Sequence, residues 1–337
     1  MAITATDIAK RVGVSQGTVS SVLNGNGAKA RIAQATQEKI LAVAKELRYR
    51  PSFAGRALVR GRTRSIGFLC GDIRNPHFNE LADLAMEEVE RRGFHLVLAV
   101  TKWHTAKNDL ETFDNLLARG VDGIISFGSA VRKGTPQYAQ VRAEQFPFVC
   151  IGHAVAGLPC IISDNHPGTD EAVRLCQANG HRRLAYVGLP EPAKERPLAD
   201  AAARHGVSLD TYHVPMRPGQ WAQVSACARE AAHRFAKLPE RPTAVFTSSD
   251  HLAVDFASGL WEMGVRIPDE VSLIGHDGTA AGGAMSPPLT SIDFDGAQVL
   301  QLALDMVFAQ IEGRPAAVEP VAVPSRLLVR KSVSLVS

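Results

Sequence analysis

The sequence predicts a small all-α head followed by two doubly wound α/β units in a chain of 337 residues. Three observations carry that reading. Residues 4–51 hold three short helical patterns separated by capping residues. From Ser65 onward, short β-branched runs alternate with amphipathic stretches, the mark of a parallel sheet covered by helices. That alternation restarts near residue 161, so the parallel architecture is expected twice. A chain of this length exceeds what one hydrophobic core holds, which also favours two or three domains.

The head reads as follows. A first helix is expected over residues 7–12, capped by Thr6, with Ile8 and Val12 one turn apart on one face. Gly13 can take the left-handed conformation of a helix end. Ser15 is placed to cap a second helix over residues 16–23, with Val19, Val22 and Leu23 on its apolar side. A loop over 26–32 carries Lys29 and Arg31, and a third helix over 36–47 offers Ile40, Leu41, Ala44 and Leu47 as a buried stripe. Helices this short need one another to bury apolar surface. The first two form a helix-turn-helix pattern, whose second helix enters the DNA major groove with its N-terminal residues toward the bases. Those residues are Gln16, Gly17, Thr18, Ser20 and Ser21, small and polar as a close approach to bases and phosphates requires.

Charge supports a nucleic-acid partner. Residues 1–64 contain twelve Lys or Arg against three acids, whereas the remainder contains 25 bases and 31 acids. A basic head on a mildly acidic body is the electrostatic footprint of a DNA reader. The stretch 52–64, SFAGRALVRGRTR, places Arg56, Arg60, Arg62 and Arg64 around Leu58. It reads either as a solvated basic linker or as a segment that phosphates would order, with Leu58 as a wedge between base steps in the minor groove.

In the core, strands are expected at SIGFLC, HLVLAV, GIISF and PFVCIG, with helices over 79–92 and 107–119 and a further one before PFVCIG. After the restart come a short strand at Ile161 and Ile162, a helix over 168–179, LAYVG as a strand and a helix to His205. An extended stretch over 207–214, a helix over 221–236, the strand AVFTS, a helix over 252–263 and the strand VSLIGHD follow. A helix over 297–311 and a β-rich tail end the chain. Ligands bind such sheets at the carboxyl ends of the strands, so the junction of two units makes a cleft.

Several chemical patterns fail on context. GVSQG at 13–17 matches a hydrolase nucleophile elbow, but a helix precedes the Ser where a strand is needed. GNGAKA at 25–30 resembles a dinucleotide fingerprint, but it too follows a helix. The eleven histidines include no HExxH, and the five cysteines at 70, 150, 160, 176 and 227 have neither metal nor disulfide spacing. No cofactor, metal or catalytic constellation is expected. No apolar run reaches membrane-spanning length, and the polar N-terminus directs no export, so a cytoplasmic protein is expected.

These stretches, taken in order, resemble the lactose/galactose-repressor family of bacterial transcription regulators over nearly the whole chain. The matching segments are DIAKRVGVSQGTVSSVLNG, LRYRP, RALVRGRTRSIGFL, NPHF, GVDGII, NGHRRLAYVG, SSDHLAVDFASGLWEMGVRIPDEVSLIGHD and PPLTSI. The resemblance implies a helix-turn-helix domain over 1–51, a hinge linker over 52–64 and a periplasmic-binding-protein-like core over 65–337 that binds effector and dimerises. Within the core it implies an N-subdomain of about 65–161 plus 293–321 and a C-subdomain of about 162–292 plus 322–337. It further implies a homodimer on a palindromic double-stranded operator, with a small effector, a sugar or sugar derivative, in the cleft between subdomains.

Carried over by position, Gln16 and Gly17 resemble the base-reading pair, Ser15, Thr18, Ser20, Asn24, Arg31 and Thr36 the phosphate contacts, and Leu58 the minor-groove wedge. Ser21 stands where the family usually has Arg, and Arg48 where a Gly usually follows the third helix. In the cleft, His77, Phe78, Trp221, Ser249, Asp250, Asp277 and Phe294 resemble effector-facing residues. Asp277 is the acid for ligand hydroxyls, and either Lys194 or Arg196 replaces the family's effector-gripping Arg. The rivals are a regulator controlled by a protein corepressor, a periplasmic-type sugar-binding protein and a sugar- or nucleotide-modifying enzyme. The tail after Arg330 has no heptad run, so a tetramer-forming coil is not expected.

Overall fold

The structure, a computed structural model, describes residues 3–49, 62–101, 106–128, 131–214 and 223–336. Leu58 and Trp221 lie outside these residues. The chain divides into two compact units, Met1–Arg64 and Ser65–Ser337.

The first unit contains α1 (Ala5–Val12), α2 (Gln16–Leu23) and α3 (Gln34–Glu46). Helix α1 starts earlier than expected: Thr4, not Thr6, is its cap. The Thr4 hydroxyl accepts from the Asp7 amide, and the Asp7 carboxylate accepts from the Thr4 amide at 2.8 Å, a reciprocal box that needs an acid three residues on. Gly13 ends α1 at φ 82°. Ser15 caps α2 by accepting from the Thr18 amide at 3.1 Å. Ile8, Ala9, Val12, Val19, Val22, Ile40 and Ala44 form the buried core. Leu41 is corrected: it is 51 % exposed, because one residue past Ile40 is a 100° turn away from the face that Ile40, Val43, Ala44 and Leu47 share. After α3, Arg48 takes φ 49° at the position where a Gly is usual.

The second unit is built on two sheets of six strands each among the described residues. The first half comprises β1 (Ser65–Cys70), α4 (Pro76–Arg91), β2 (His95–Val100), α5 (Ala106–Ala118), β3 (Gly123–Phe127), α6 (Pro136–Ala143), β4 (Phe148–Ile151) and β5 (Cys160–Asp164). The second comprises α7 (His166–Ala178), β6 (Arg183–Gly188), α8 (Pro192–Arg204), β7 (Ser208–His213), α9 (Val224–Ala236), β8 (Ala244–Thr247) and α10 (Asp250–Glu262). It continues through β9 (Ser272–His276), α11 (Ala280–Gly283) and β10 (Thr290–Asp293). Then come α12 (Gly296–Ile311), β11 (Val321–Pro324) and β12 (Arg326–Leu328). Strand β10 and the short α11 were not foreseen in the sequence.

The sheets run β11-β5-β4-β3-β1-β2 and β12-β10-β9-β8-β6-β7, parallel throughout except for the β10–β12 pair. Strand order thus repeats in the two halves. Each sheet is covered by apolar clusters, one around Phe68, Phe127 and Val307 and another around Phe113 and Phe148 for the first. Clusters around Phe235 and Phe256 and around Tyr186 and Phe246 cover the second. The chain passes between sheets after β5, after β10 and after β11. The first and last passages fall a few residues beyond 161 and 321. The reason is pairing: β11 runs in register with β5 from Val321↔Ile161 to Pro324↔Asp164. The crossings are tied to one another. Ser325 donates its amide to the Asp164 carbonyl at 2.8 Å, and Arg326 pairs with Asp293 at 2.9 Å.

The head's small core makes it the weaker unit. Ile40→Ala, at a fully buried position, is expected to remove about 2–5 kcal/mol. Amide exchange across α1–α3 in the full chain should rise sharply while β1–β5 keep their protection; equal loss in the core would contradict the division.

Candidate functional site

Two sites emerge. In the head, Ser15, Gln16 and Gly17 are exposed at the start of α2, and Thr18, Ser20 and Ser21 are half-buried along it. Burial of Val19 and Val22 against α1 and α3 turns that polar edge outward. Ser15 and Thr18 hydroxyls lie 2.9 Å apart. Asn24 turns back, donating to the Ser20 carbonyl at 2.9 Å. Arg31 is exposed at φ 54°, and Thr36 is half-buried in the first turn of α3. A Cβ at Gly17 would meet only the Ser15 hydroxyl, at 3.7 Å, so this surface is open.

In the core, a cavity of about 310 Å³ lies between the carboxyl ends of the two sheets. The first sheet's side is aromatic. Asn75 caps α4 by accepting from the His77 amide at 3.1 Å, which sets His77 and Phe78 at the cavity wall. The His77 ring meets Phe78 and Phe294 edge-on at 4.9 Å, and Phe78 meets Phe127 at 5.7 Å. Edge-to-face rings of this kind brace one another and present a firm apolar wall.

The second sheet's side is polar. Asp277 leaves β9 at φ 109°, a conformation rare for a residue with a Cβ, and this backbone carries its carboxylate into the cavity. Lys194 approaches from α8: its ammonium donates to the Ser248 carbonyl at 2.7 Å and lies 3.3 Å from Glu191 and 3.7 Å from Asp277. Burial pushes the Asp277 carboxyl up, but Lys194 and the His276 ring outweigh it and leave it at about 2. Burial pushes Lys194 down, and Glu191 with Asp277 returns it above its ordinary value. Burial holds the His77 and His276 imidazoles below their ordinary value, so both are neutral hydrogen-bonding groups at pH 7. His276 reaches Asn165 at 3.2 Å, and Asn165 donates to the Ala193 carbonyl at 2.9 Å, linking the first crossing to α8.

Of the expected cleft residues, the structure brings together His77, Phe78, Lys194, Ser249, Asp277 and Phe294. Two are corrected. Arg196 is exposed and does not line the cavity, whereas Lys194 does, because two residues along a helix is a 200° rotation. Asp250 is fully buried beneath the cleft. Its carboxylate accepts from the Thr279 amide at 2.7 Å, the Thr279 hydroxyl at 2.9 Å and the Ser291 hydroxyl at 2.6 Å. Burial, with Asp277's charge added, pushes it up to about 7. The sequence reading missed Asn75, Phe127, His153, Asn165, Glu191, His251 and His276 as cavity residues. His153, His251 and His276 each lie at or just after a strand's carboxyl end, a position that marks them once the strands are placed.

A carboxyl group held below its unfolded value contributes stability above that value and loses it as pH falls. For Asp277 the window runs from the ordinary carboxylate range of about 4 down to about 2. Asp277→Asn should therefore flatten the fall in the core's melting temperature across that window. An unchanged acid limb would show that the carboxylate is not so held.

Comparison with known proteins agrees with this geometry. Residues 4–52 match the family described as bacterial regulatory proteins, lacI family, and residues 173–333 match the periplasmic binding protein-like domain. The chain is 29 % identical over 339 residues to the HTH-type transcriptional repressor PurR of Mannheimia succiniciproducens, covering 98 % of each chain. It is also 29 % identical over 343 residues to the HTH-type transcriptional regulator DegA of Bacillus subtilis, covering 99 % of each. In fold it resembles the lac repressor dimer bound to operator and the anti-inducer ONPF, with a TM-score of 0.83 at 21 % identity, over 99 % of this chain and 100 % of that one. A helix-turn-helix head, a two-sheet core and relatives aligned from end to end lead to one conclusion: the chain carries a lacI-family DNA-binding domain at residues 4–52 and a periplasmic binding protein-like domain at residues 173–333, and it is similar over nearly its whole length to HTH-type transcriptional regulators.

Proposed function

We propose that this protein is a dimeric, cytoplasmic repressor that reads a two-fold symmetric operator through α2, and that a sugar or sugar derivative in the core cleft sets its DNA affinity. The observation that carries the effector reading is an ionised Asp277 facing a wall of Phe78, Phe127 and Phe294. A carboxylate accepts from hydroxyls, and an aromatic face covers the apolar side of a sugar ring. Neutral His77 and His276 add donors and acceptors without adding charge. Solved proteins of similar core fold include a transcriptional regulator CelR–cellobiose complex, with a TM-score of 0.64, and an Arthrobacter regulator in complex with lactose, with a TM-score of 0.68.

In the head, Gln16 and Gly17 are the base readers. Ser15, Thr18, Ser20, Asn24, Arg31 and Thr36 hold phosphates, and Ser21 leaves the guanine-gripping position of the family unfilled. Leu58 and residues 52–64 serve as hinge, and Trp221 as a second aromatic for the effector; these assignments rest on sequence. An effector controls DNA binding only through a difference in its affinity for the two states of the protein.

Selection of full-length protein against randomised duplex DNA should enrich a palindrome. Its affinity should fall about a thousandfold or more between 50 and 200 mM salt if six or more phosphates are contacted. Recovery of no preferred sequence would overturn the DNA-reading assignment. Lactose, cellobiose and D-xylulose are the first effector probes. A sugar that raises the melting temperature should bind about tenfold or more weakly to Asp277→Ala, since hydrogen bonds to charged groups carry about 1.5–3 kcal/mol. Control by a protein corepressor would appear instead as a normal response in Asp277→Ala.

A further inference from the structure

The loop that carries Asp277 is fastened to its own subdomain from below. The Asp277 amide donates to the Ile292 carbonyl at 2.9 Å, the Gly278 amide to the Ser291 hydroxyl at 3.1 Å and Thr279 to Asp250. One residue further on, the Ala280 amide donates at 3.1 Å to Oε1 of Glu80, which belongs to α4 on the first sheet's side of the cleft. The two partners are placed alike. Glu80 is three residues after His77 on α4, so both sit on one helical face. Ala280 is three residues after Asp277 on the facing loop. His77 and Asp277 both line the cavity, and the Asp277 charge is felt at the His77 ring. The bond between Glu80 and Ala280 therefore bridges the same gap that a cleft ligand bridges.

We propose that Glu80 is a positioning residue for the effector site: from the opposite subdomain it holds the Ala280 end of the loop, so that Asp277 is presented to His77 and Phe78 when the cleft is closed. The bond exists only while the two sides are together, so it biases the core toward the closed arrangement that a ligand also favours. Glu80 is half-buried and Ala280 exposed, so the bond competes with water and the bias is modest, as a reversible switch requires. This assignment rests on the cleft being the effector site, but the bond itself is testable without an effector or DNA.

Site-resolved amide exchange on the full-length protein provides the test, with no added ligand. Glu80→Ala should raise exchange at the Ala280 amide by about threefold to tenfold, the range set by one solvent-accessible hydrogen bond. Glu80→Gln keeps an acceptor oxygen on the same arm and should restore protection to within about twofold of the wild type. The Gly283 and Ala284 amides, which donate within α11 to Thr279 and Ala280, should not change. Equal exchange at Ala280 in all three proteins would overturn the proposal, as would equal loss of protection in the Ala and Gln variants. If Glu80→Ala also exposes the β9 amides, Glu80→Asp keeps the charge on a shorter arm. Loss confined to Ala280 in that variant then supports the proposal, and unchanged protection overturns it. Failure to recover any DNA sequence would instead count against the operator reading and leave the exchange result standing.

Discussion

The cleft depends on one buried carboxylate. Asp250 has no exposed surface, and its two oxygens take three hydrogen bonds from Thr279 and Ser291. Thr279 follows β9 and Ser291 lies in β10, while Asp250 itself opens α10 just after β8. One side chain thus ties the start of α10 to the loop after β9 and to β10. Such a group is costly to bury unless its lone pairs are satisfied, and the reward for satisfying them is a rigid support. On that support stands the strained backbone of Asp277, whose positive φ would otherwise relax. The acid that faces the cavity and the amide that meets Glu80 are both held by what lies beneath them.

The electrostatics of the cleft follow from the same arrangement. Lys194 is held between Glu191, Asp277 and a backbone carbonyl, so its charge keeps Asp277 ionised where a ligand would need a free cation to grip an anion. The neighbouring imidazoles are kept neutral by burial. The result is a recess whose polar half offers oriented hydrogen bonds and whose other half offers aromatic edges and faces. That division suits a ligand with hydroxyls on one side and C–H groups on the other.

Much of this was legible in the sequence, and the limits are physical. Alternating β-branched runs gave β1 through β3 with their boundaries and β4 to within a residue at each end, because parallel buried strands are continuous apolar runs. Strand β10 was not distinguished: TSID holds one large apolar residue, and its burial comes from the sheet around it. Helical periodicity placed α1 but not its cap, since Thr4 and Thr6 are equally good caps until the partner Asp7 is considered. In the cleft, six of the expected residues line the cavity, while Arg196 and Asp250 point elsewhere. Ser249 and Asp250 are adjacent, yet one faces the cavity and the other the core, which no spacing rule separates. Lys194 and Arg196 were separable only once α8 was known to be a helix through Pro197. His153, His251 and His276 were overlooked because, apart from His77, the histidines were weighed as metal ligands, whereas strand ends decide where side chains gather.

The central claim is that a molecule in the cleft and a duplex on the head are thermodynamically linked. Linkage is reciprocal: the factor by which a ligand changes DNA affinity must equal the factor by which DNA changes ligand affinity. The direct measurement is a calorimetric titration of a bound sugar into the full-length protein, free and saturated with its selected duplex. The account predicts that the sugar's Kd shifts by the same factor as the duplex's Kd does when sugar is present. An identical sugar Kd in the two titrations would contradict it.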